Sequence, residues 1–232
     1  MVGLKDNLAA EVKETFSKAW EAQITDSVPA PEDLRLNANH AKDLEKATVL
    51  YADLDGSTNM VDKYKWEFSA KIYKTFLRCV SQIIRSEGGS ITAYDGDRVM
   101  AIFTGSTKNT DAVRCAMKIN FAVREIIQPT INAQYNTDFE LTHVVGIDTS
   151  QLRTARIGVR GDNDLVWIGR AANYAAKLTN ESGKPIWITK AVYDSINDEV
   201  KYHEGQDMWQ RSYWTSMNNM EIYSSTYWWR IP

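Results

Sequence analysis

Two acidic turns, each at the end of an apolar run, constrain this chain more than any other feature. The first is Tyr51-Ala52-Asp53-Leu54-Asp55-Gly56-Ser57-Thr58 and the second is Ala93-Tyr94-Asp95-Gly96-Asp97-Arg98. Asp and Gly are common in turns for backbone reasons, so neither stretch alone signals chemistry. Their placement does. One follows the first strand of an α/β pattern, and the other joins two strands after the first helix, so their carboxylates can approach from neighbouring strands. Hard divalent cations take oxygen ligands, and in phosphate chemistry they bridge one or two carboxylates to substrate oxygens. The pair therefore points to nucleotide or phosphate chemistry.

Leu4, Leu8, Val12, Phe16 and Trp20 recur every four residues and write a narrow apolar stripe on an opening amphipathic helix within residues 1–24. Such a stripe asks for a partner surface, on the domain or across a dimer. Residues 25–46, with Pro29 and Pro31, read as a linker. The rest, 47–232, reads as one domain. Ala47 to Ala52 is a buried strand, and Phe68, Ile72, Phe76, Cys79, Val80, Ile83 and Ile84 fall at helical spacing up to Gly88-Gly89. Strands at Ser90 to Tyr94 and Val99 to Phe103 flank Asp95-Gly96, a dipeptide suited to a tight hairpin turn. A second helix is expected at Asn109 to Ile127 and strands at Leu141 to Ile147, Ala155 to Val159 and Leu165 to Ile168. A further helix runs from Gly169 to Thr179. The order β-α-β-β-α-β with an appended helix and strands predicts an α+β fold, ferredoxin-like at its core, with an antiparallel-rich sheet.

The formal net charge of −3 gives no electrostatic footprint for nucleic acid, and none is expected as a partner. Cys79 and Cys115 lack Cys or His neighbours at metal-ligand spacing and read as free thiols in a reducing compartment. No apolar run approaches the length of a membrane span, and Lys5 and Asp6 stand where a signal peptide needs apolar residues. The expectation is a cytoplasmic chain without a membrane partner. The aromatic tail from Trp209 to Trp229 is expected to pack in strands and interfaces.

Leu50 to Thr58, the Gly96-Asp97 turn leading into Val99-Met100-Ala101, and Trp167-Ile168-Gly169-Arg170-Ala171-Ala172-Asn173-Tyr174-Ala175-Ala176-Lys177 occur in the order of the class III nucleotidyl cyclase domain, which the chain resembles from Ala47 onward. That resemblance implies the class III cyclase fold and a homodimer with composite sites at its interface. It also implies Mn²⁺ or Mg²⁺, two ions per active site, and conversion of a nucleoside triphosphate to a 3′,5′-cyclic monophosphate with release of pyrophosphate. Asp53, Asp97 and the Leu54 carbonyl would be the metal ligands. Amides at Gly56, Ser57 and Thr58, entering the next helix, would cradle phosphate oxygens. Asn173 and Lys177, four apart on one helix face, would reach the partner subunit's site, Asn173 orienting the ribose. Lys177 stands where the family has Arg. Lysine keeps the charge and loses the bidentate fork, so Lys177 works more weakly or shares the task with Arg170, Arg153 or Arg156. The family's phosphate-binding Lys before the last strand has no clear counterpart.

The base pocket departs further. Ala93 and Val166 stand where purine cyclases read the base, and neither can hydrogen-bond a purine edge. Tyr94 and Arg98, a Tyr-x-x-x-Arg pair, are expected to take over. The ring shrinks the pocket to pyrimidine size, and the guanidinium donates to the O2 and O4 acceptors of uracil while repelling the amino group of cytosine. UTP is thus favoured, with CTP possible. The pair resembles the cyclases of the bacterial pyrimidine cyclase antiphage system (Pycsar), which implies a cyclic UMP or cyclic CMP messenger read by a separate effector.

Two other readings stand beside this one. Asp53-Leu54-Asp55-Gly56-Ser57-Thr58 also resembles the nucleophile loop of haloacid-dehalogenase-type phosphatases, with Asp53 as nucleophile, Asp55 as general acid and Gly161-Asp162-Asn163-Asp164 as a late acidic motif. It leaves Gly96-Asp97 and the Asn173/Lys177 helix without a role. The non-enzyme reading is a catalytically inactive nucleotide-binding dimerisation module, which Lys177 favours and the two metal acids oppose.

Overall fold

The computed structural model describes residues 3–36 and 38–232. The chain opens on α1 (Leu4–Ser17), which buries none of its residues: Leu4, Leu8, Val12 and Phe16 all face solvent. The helix stops short of Trp20, and Asn39 donates from Nδ2 to the Thr15 and Lys18 carbonyls, 2.8 Å each, to tie down its end. Next comes β1 (Glu21–Ile24), which pairs in parallel with β2 (His40–Asp43). The expected linker over 25–46 is therefore amended: it holds a 3₁₀ turn at Pro31–Asp33, a buried Leu34 and strand β2. The polar run His-Ala-Lys-Asp gives no strand signal because Asp43 faces inward, where Arg153 Nε donates to it at 2.8 Å and Gln151 at 2.9 Å.

From there the elements follow the expected order. They are β3 (Ala47–Asp55), α2 (Ser57–Lys63), α3 (Trp66–Ser86), β4 (Ser90–Asp95), β5 (Arg98–Phe103) and α4 (Lys108–Phe121). The last continues through a π-helical turn into α5 (Gln128–Gln134), past the helix end expected at Ile127. Pro129 supplies the reason: it has no N–H to donate, and its ring would strike the carbonyl four residues back, so the ladder widens there. Then come β6 (Thr142–Ser150), β7 (Arg153–Val159), β8 (Asp162–Ile168), α6 (Arg170–Leu178), β9 (Ile186–Thr189) and α7 (Lys190–Tyr193). The chain closes on β10 (Tyr202–His203), β11 (Gln206–Asp207), β12 (Gln210–Trp214) and β13 (Met220–Ser225).

The main sheet has seven strands in the order β12-β13-β9-β6-β3-β5-β4. Its β6-β3-β5-β4 portion is antiparallel throughout, the strand order of a ferredoxin-like core, while β9 joins β6 in parallel. A second sheet, β1-β2-β7-β8, stands beside it, and β10 and β11 form a short hairpin. Strand pleat sorts the residues of β3 to two faces. Leu50, Ala52 and Leu54 pack into the large core with Phe68, Ile72, Phe76, Val80 and Ile84 of α3. Ala47, Val49 and Tyr51 face the other way and pack with Met100, Ile102, Leu152 and the alanines of α6. Asp53 continues that second row.

Helix α6 lies close on β6. A Cβ at Gly146 would sit 2.2 Å from the Ala175 carbonyl, so only glycine permits this approach. Gly146→Ala should lower stability by about 1–3 kcal/mol, because helix and sheet must part. An unchanged melting temperature would refute that contact. Among the described residues no helix is long and apolar enough to cross a membrane.

Candidate active site

Strand β3 ends on Asp53-Leu54-Asp55, and the β4–β5 hairpin turns next to it. The hairpin's two central residues are Gly96 and Asp97, one position later than the Asp95-Gly96 turn read from the sequence, because Asp95 already pairs with Arg98. Gly96 has φ +61°, as the first central residue of a tight hairpin requires. The β3–β5 ladder runs to Ala52–Val99, so Asp53 and Asp97 both lie just past its last rung.

These two acids crowd one another. Burial pushes the Asp53 carboxyl up to about 6, and the neighbouring Asp97 carboxylate adds to the rise against the opposing pull of Arg98. One oxygen of Asp97, Oδ2, is buried with no hydrogen-bond partner. An orphaned carboxylate oxygen beside a second, destabilised carboxylate fits a divalent cation. Among the described residues no three His, Cys, Asp or Glu side chains gather at metal-holding distance, so the side chains on offer here are the two carboxylates. Such a site leaves the remaining positions to carbonyls, such as that of Leu54, and to phosphate oxygens.

Gly56, at φ +72°, turns the chain from β3 into α2 and leaves Ser57 and Thr58 in the first helical turn, where amides have no intrahelical acceptor. On the same side of the sheet as Asp53, α6 presents Asn173 and Lys177. Both are exposed, and neither bonds to Asp53 or Asp97. Lys177 Nζ has Met217 Sδ at 3.7 Å as its neighbour. The three arginines expected to share its task are committed elsewhere: Arg170 to Asp148, Arg153 to Asp43, and Arg156 to Asn163 and the Leu34 carbonyl. Of these four basic residues, Lys177 alone has no bonded oxygen partner among the described residues.

The structure separates Tyr94 from Arg98. Tyr94 pairs with Val99, whereas Arg98 pairs with Asp95, so the two side chains leave the sheet on opposite faces. The Tyr94 hydroxyl shares a 2.8 Å hydrogen bond with Ser81 Oγ of α3 on the helix side. Arg98 instead donates to Asp95 Oδ2 at 3.2 Å, and its guanidinium carbon lies 5.7 Å from the ring centroid of Tyr51. Tyr51 in turn donates to Met100 Sδ at 3.0 Å, and burial pushes its phenol up. The ring beside Arg98 and on Asp53's face is thus Tyr51. Sequence reasoning missed it inside an apolar run, although its i, i+2 spacing to Asp53 already places both on one face. Ala93 joins the same apolar cluster as Tyr51 and offers no polar group.

The features a phosphatase needs do not converge. Gly161 to Asp164 closes the β7–β8 hairpin of the second sheet, and its side chains are used locally: Asn163 by Arg156, and Asp164 by the Leu165 amide.

Residues 39–223 match the family model described as the adenylate and guanylate cyclase catalytic domain. The chain is 66% identical to a uridylate cyclase of Burkholderia cepacia, over 99% of this chain and 100% of that one. It is 52% identical to a uridylate cyclase of Xanthomonas perforans over the same shares, and 35% identical to one of Rhodovulum sp. over 98% of each. Its fold is that of solved cyclases. The adenylyl cyclase CyaB from P. aeruginosa superposes with a TM-score of 0.67 at 22% identity, over 80% of this chain and 95% of that one. The guanylyl cyclase Cya2 gives 0.66 at 19%, over 80% and 93%. With its acid pair, its α6 residues and these relatives, the chain belongs to the class III nucleotidyl cyclases, enzymes that cyclise a nucleoside triphosphate with divalent metal ions, generally Mg²⁺ or Mn²⁺.

Proposed function

We propose that this protein is a uridylate cyclase, a homodimer that converts UTP to 3′,5′-cyclic UMP and pyrophosphate at composite sites holding two divalent cations each. The observation that carries the base assignment is Tyr51 and Arg98 side by side on Asp53's face, where Ala93 leaves nothing to read a purine. The full-length likeness to proteins named uridylate cyclase supports it.

Asp53, Asp97 and the Leu54 carbonyl would hold the cations. Held there, such cations would supply a lowered pKa for the ribose 3′-hydroxyl and compensation for the triphosphate charge. The ribose 3′-hydroxyl loses its proton to solvent as its oxygen attacks the α-phosphorus, the bond from that phosphorus to the β-bridging oxygen breaks, and pyrophosphate leaves. Amides at Gly56, Ser57 and Thr58 receive phosphate oxygens. Asn173 orients the ribose and Lys177 meets the charge that develops on the transferring phosphate. That these last two stand exposed, clear of their own chain's acids, supports a site completed by a second subunit. The protein would work in the cytoplasm, with no membrane or nucleic-acid partner, and its product would act on a separate effector in antiphage defence, as the resemblance to the Pycsar cyclases implies. CTP is the second reading. Arg98 disfavours it, because a guanidinium can only donate and cytosine presents a donor in place of O4.

The test is incubation of the purified protein with ATP, GTP, CTP and UTP separately, with Mn²⁺, and mass spectrometry of the products. Cyclic UMP is expected; a purine product would overturn the base assignment. Mixing Asp53→Ala with Asn173→Ala subunits tests the composite site. Half of the randomly mixed dimers carry one intact site of two, so about a quarter of the wild-type rate should return. No recovery would refute sharing between subunits.

A further inference from the structure

Asn173 and Lys177 are exposed, so their aim depends on how firmly α6 itself is seated. That seating concentrates on the helix's first residue. Arg170 donates from Nε to Asp148 Oδ2 at 3.0 Å and from Nη2 to Asp148 Oδ1 at 3.1 Å, with a third bond from Nη2 to the Thr149 carbonyl at 2.8 Å. Asp148 is fully buried on β6, and the Thr189 hydroxyl of β9 donates to its Oδ1 at 2.5 Å. Ser150 Oγ accepts the Ala171 amide at 2.9 Å. The chain enters the helix at Gly169, where a Cβ would lie 2.5 Å from the Gln151 carbonyl, so the approach is as close as backbone allows. The Arg170 guanidinium also lies 5.4 Å from the ring centroid of Tyr174, one turn further along.

Buried carboxylates are costly to desolvate, and a well-packed apolar pair often holds two elements together as well or better. What a bidentate fork adds is geometry, because two parallel N–H···O bonds fix both position and rotation. Arg170 precedes Asn173 by three residues and Lys177 by seven, so all three lie along one face of the helix. A rotation of α6 at Arg170 would swing both functional side chains together.

We infer that the Arg170–Asp148–Thr189 clamp is a positioning device for catalysis. It sets the rotation of α6 on the sheet so that Asn173 and Lys177 present to the nucleotide held by the partner subunit. Arg170 acts through those residues and touches no substrate. The inference rests on the reading that Asn173 and Lys177 complete the site.

Steady-state kinetics with Mn²⁺ and whichever nucleoside triphosphate the protein turns over fastest, alongside thermal melts, tests it. Arg170→Met should lower kcat by about 10–100-fold, as loss of an outer-shell partner does, with KM held within about threefold. Arg170→Lys, which keeps the charge without the fork, should fall between. The triple variant Asp148→Leu/Arg170→Met/Thr189→Val carries neither an unpaired buried charge nor the Thr189 hydroxyl stripped of its acceptor. It should recover the melting temperature of the wild type while kcat stays low, and it keeps the test readable if Arg170→Met alone fails to fold. Recovery of kcat together with the melting temperature would show the pair to be structural only. A KM rise that matches or exceeds the kcat loss would make Arg170 a substrate ligand. Failure of the underlying reading shows separately: Asn173→Ala and Lys177→Ala would both turn over at the wild-type rate, leaving the clamp nothing to aim.

Discussion

Asp97→Asn is expected to stabilise the metal-free protein and to cost about a thousandfold in turnover. The two effects have one cause. Asp97 keeps a buried carboxylate oxygen without a partner, and its charge helps push the Asp53 carboxyl up to about 6. The ordinary value is 3.8, so Asp53 is a group with a raised folded value. Its contribution to stability is fully present below 3.8 and lost as the pH rises through 6, so at neutral pH the metal-free fold bears the cost of the ionised Asp53. Removing the Asp97 charge relieves the repulsive part of that cost, while the amide keeps a buried polar atom in the same place, so the gain is about 1 kcal/mol, the scale of one pKa unit. In a chain of this size that moves the melting temperature up by roughly 2–4 °C. Mn²⁺ then separates the two proteins. It should raise the melting temperature of the wild type by binding the folded state, about 2.7 kcal/mol at a hundred times the dissociation constant, and leave Asp97→Asn nearly flat. If Mn²⁺ shifts both proteins equally, the acid pair is not the metal site.

How far the sequence carries depends on which contacts a segment makes with its own neighbours in the chain. The strand–helix–strand–strand–helix–strand core is legible because each element writes its own period: Leu50, Ala52 and Leu54 alternate, and Phe68, Ile72, Phe76 and Val80 recur by the turn. β1 and β2 are not legible. Glu-Ala-Gln-Ile alternates over only four residues, all of them exposed, and His-Ala-Lys-Asp puts Asp43 where alternation calls for an apolar residue; what makes them strands is pairing with each other and, through β2, with β7, more than a hundred residues on. The acid pair was readable as two turns at strand ends. Nothing in the sequence alone said that Asp97 keeps an orphaned oxygen, or that Arg153, Arg156 and Arg170 are already bonded and leave Lys177, of these four, without a bonded oxygen partner among the described residues. The Arg153–Asp43 and Arg156–Leu34 bonds join residues more than a hundred apart and are fixed only once the sheets assemble.

The base pocket shows the same limit and gives the second large effect. Tyr94 and Arg98 look like a pair in the sequence, but side chains four apart share a face only if no turn intervenes. Here Gly96 and Asp97 form the turn, so cross-strand pairing decides, and it joins Arg98 to Asp95 and leaves Tyr94 opposite Val99. Tyr51, on the neighbouring strand, supplies the ring. Arg98→Met should therefore reduce kcat/KM for UTP by about 10–100-fold, the value of a charged hydrogen bond to a base carbonyl. Tyr51→Ala should open the floor beside Arg98, costing UTP about tenfold and letting a purine in, since added room rejects a larger base only weakly. Tyr94→Phe loses its bond to Ser81, on the far side of the sheet, and should leave all four nucleotides within about twofold, as an exposed hydrogen bond is worth little. The readout is kcat/KM for UTP, CTP, GTP and ATP in the three variants. A change of base preference in Tyr94→Phe, with none in Tyr51→Ala, would return base reading to Tyr94 and require the hairpin to pair differently in the dimer than it does in the single chain.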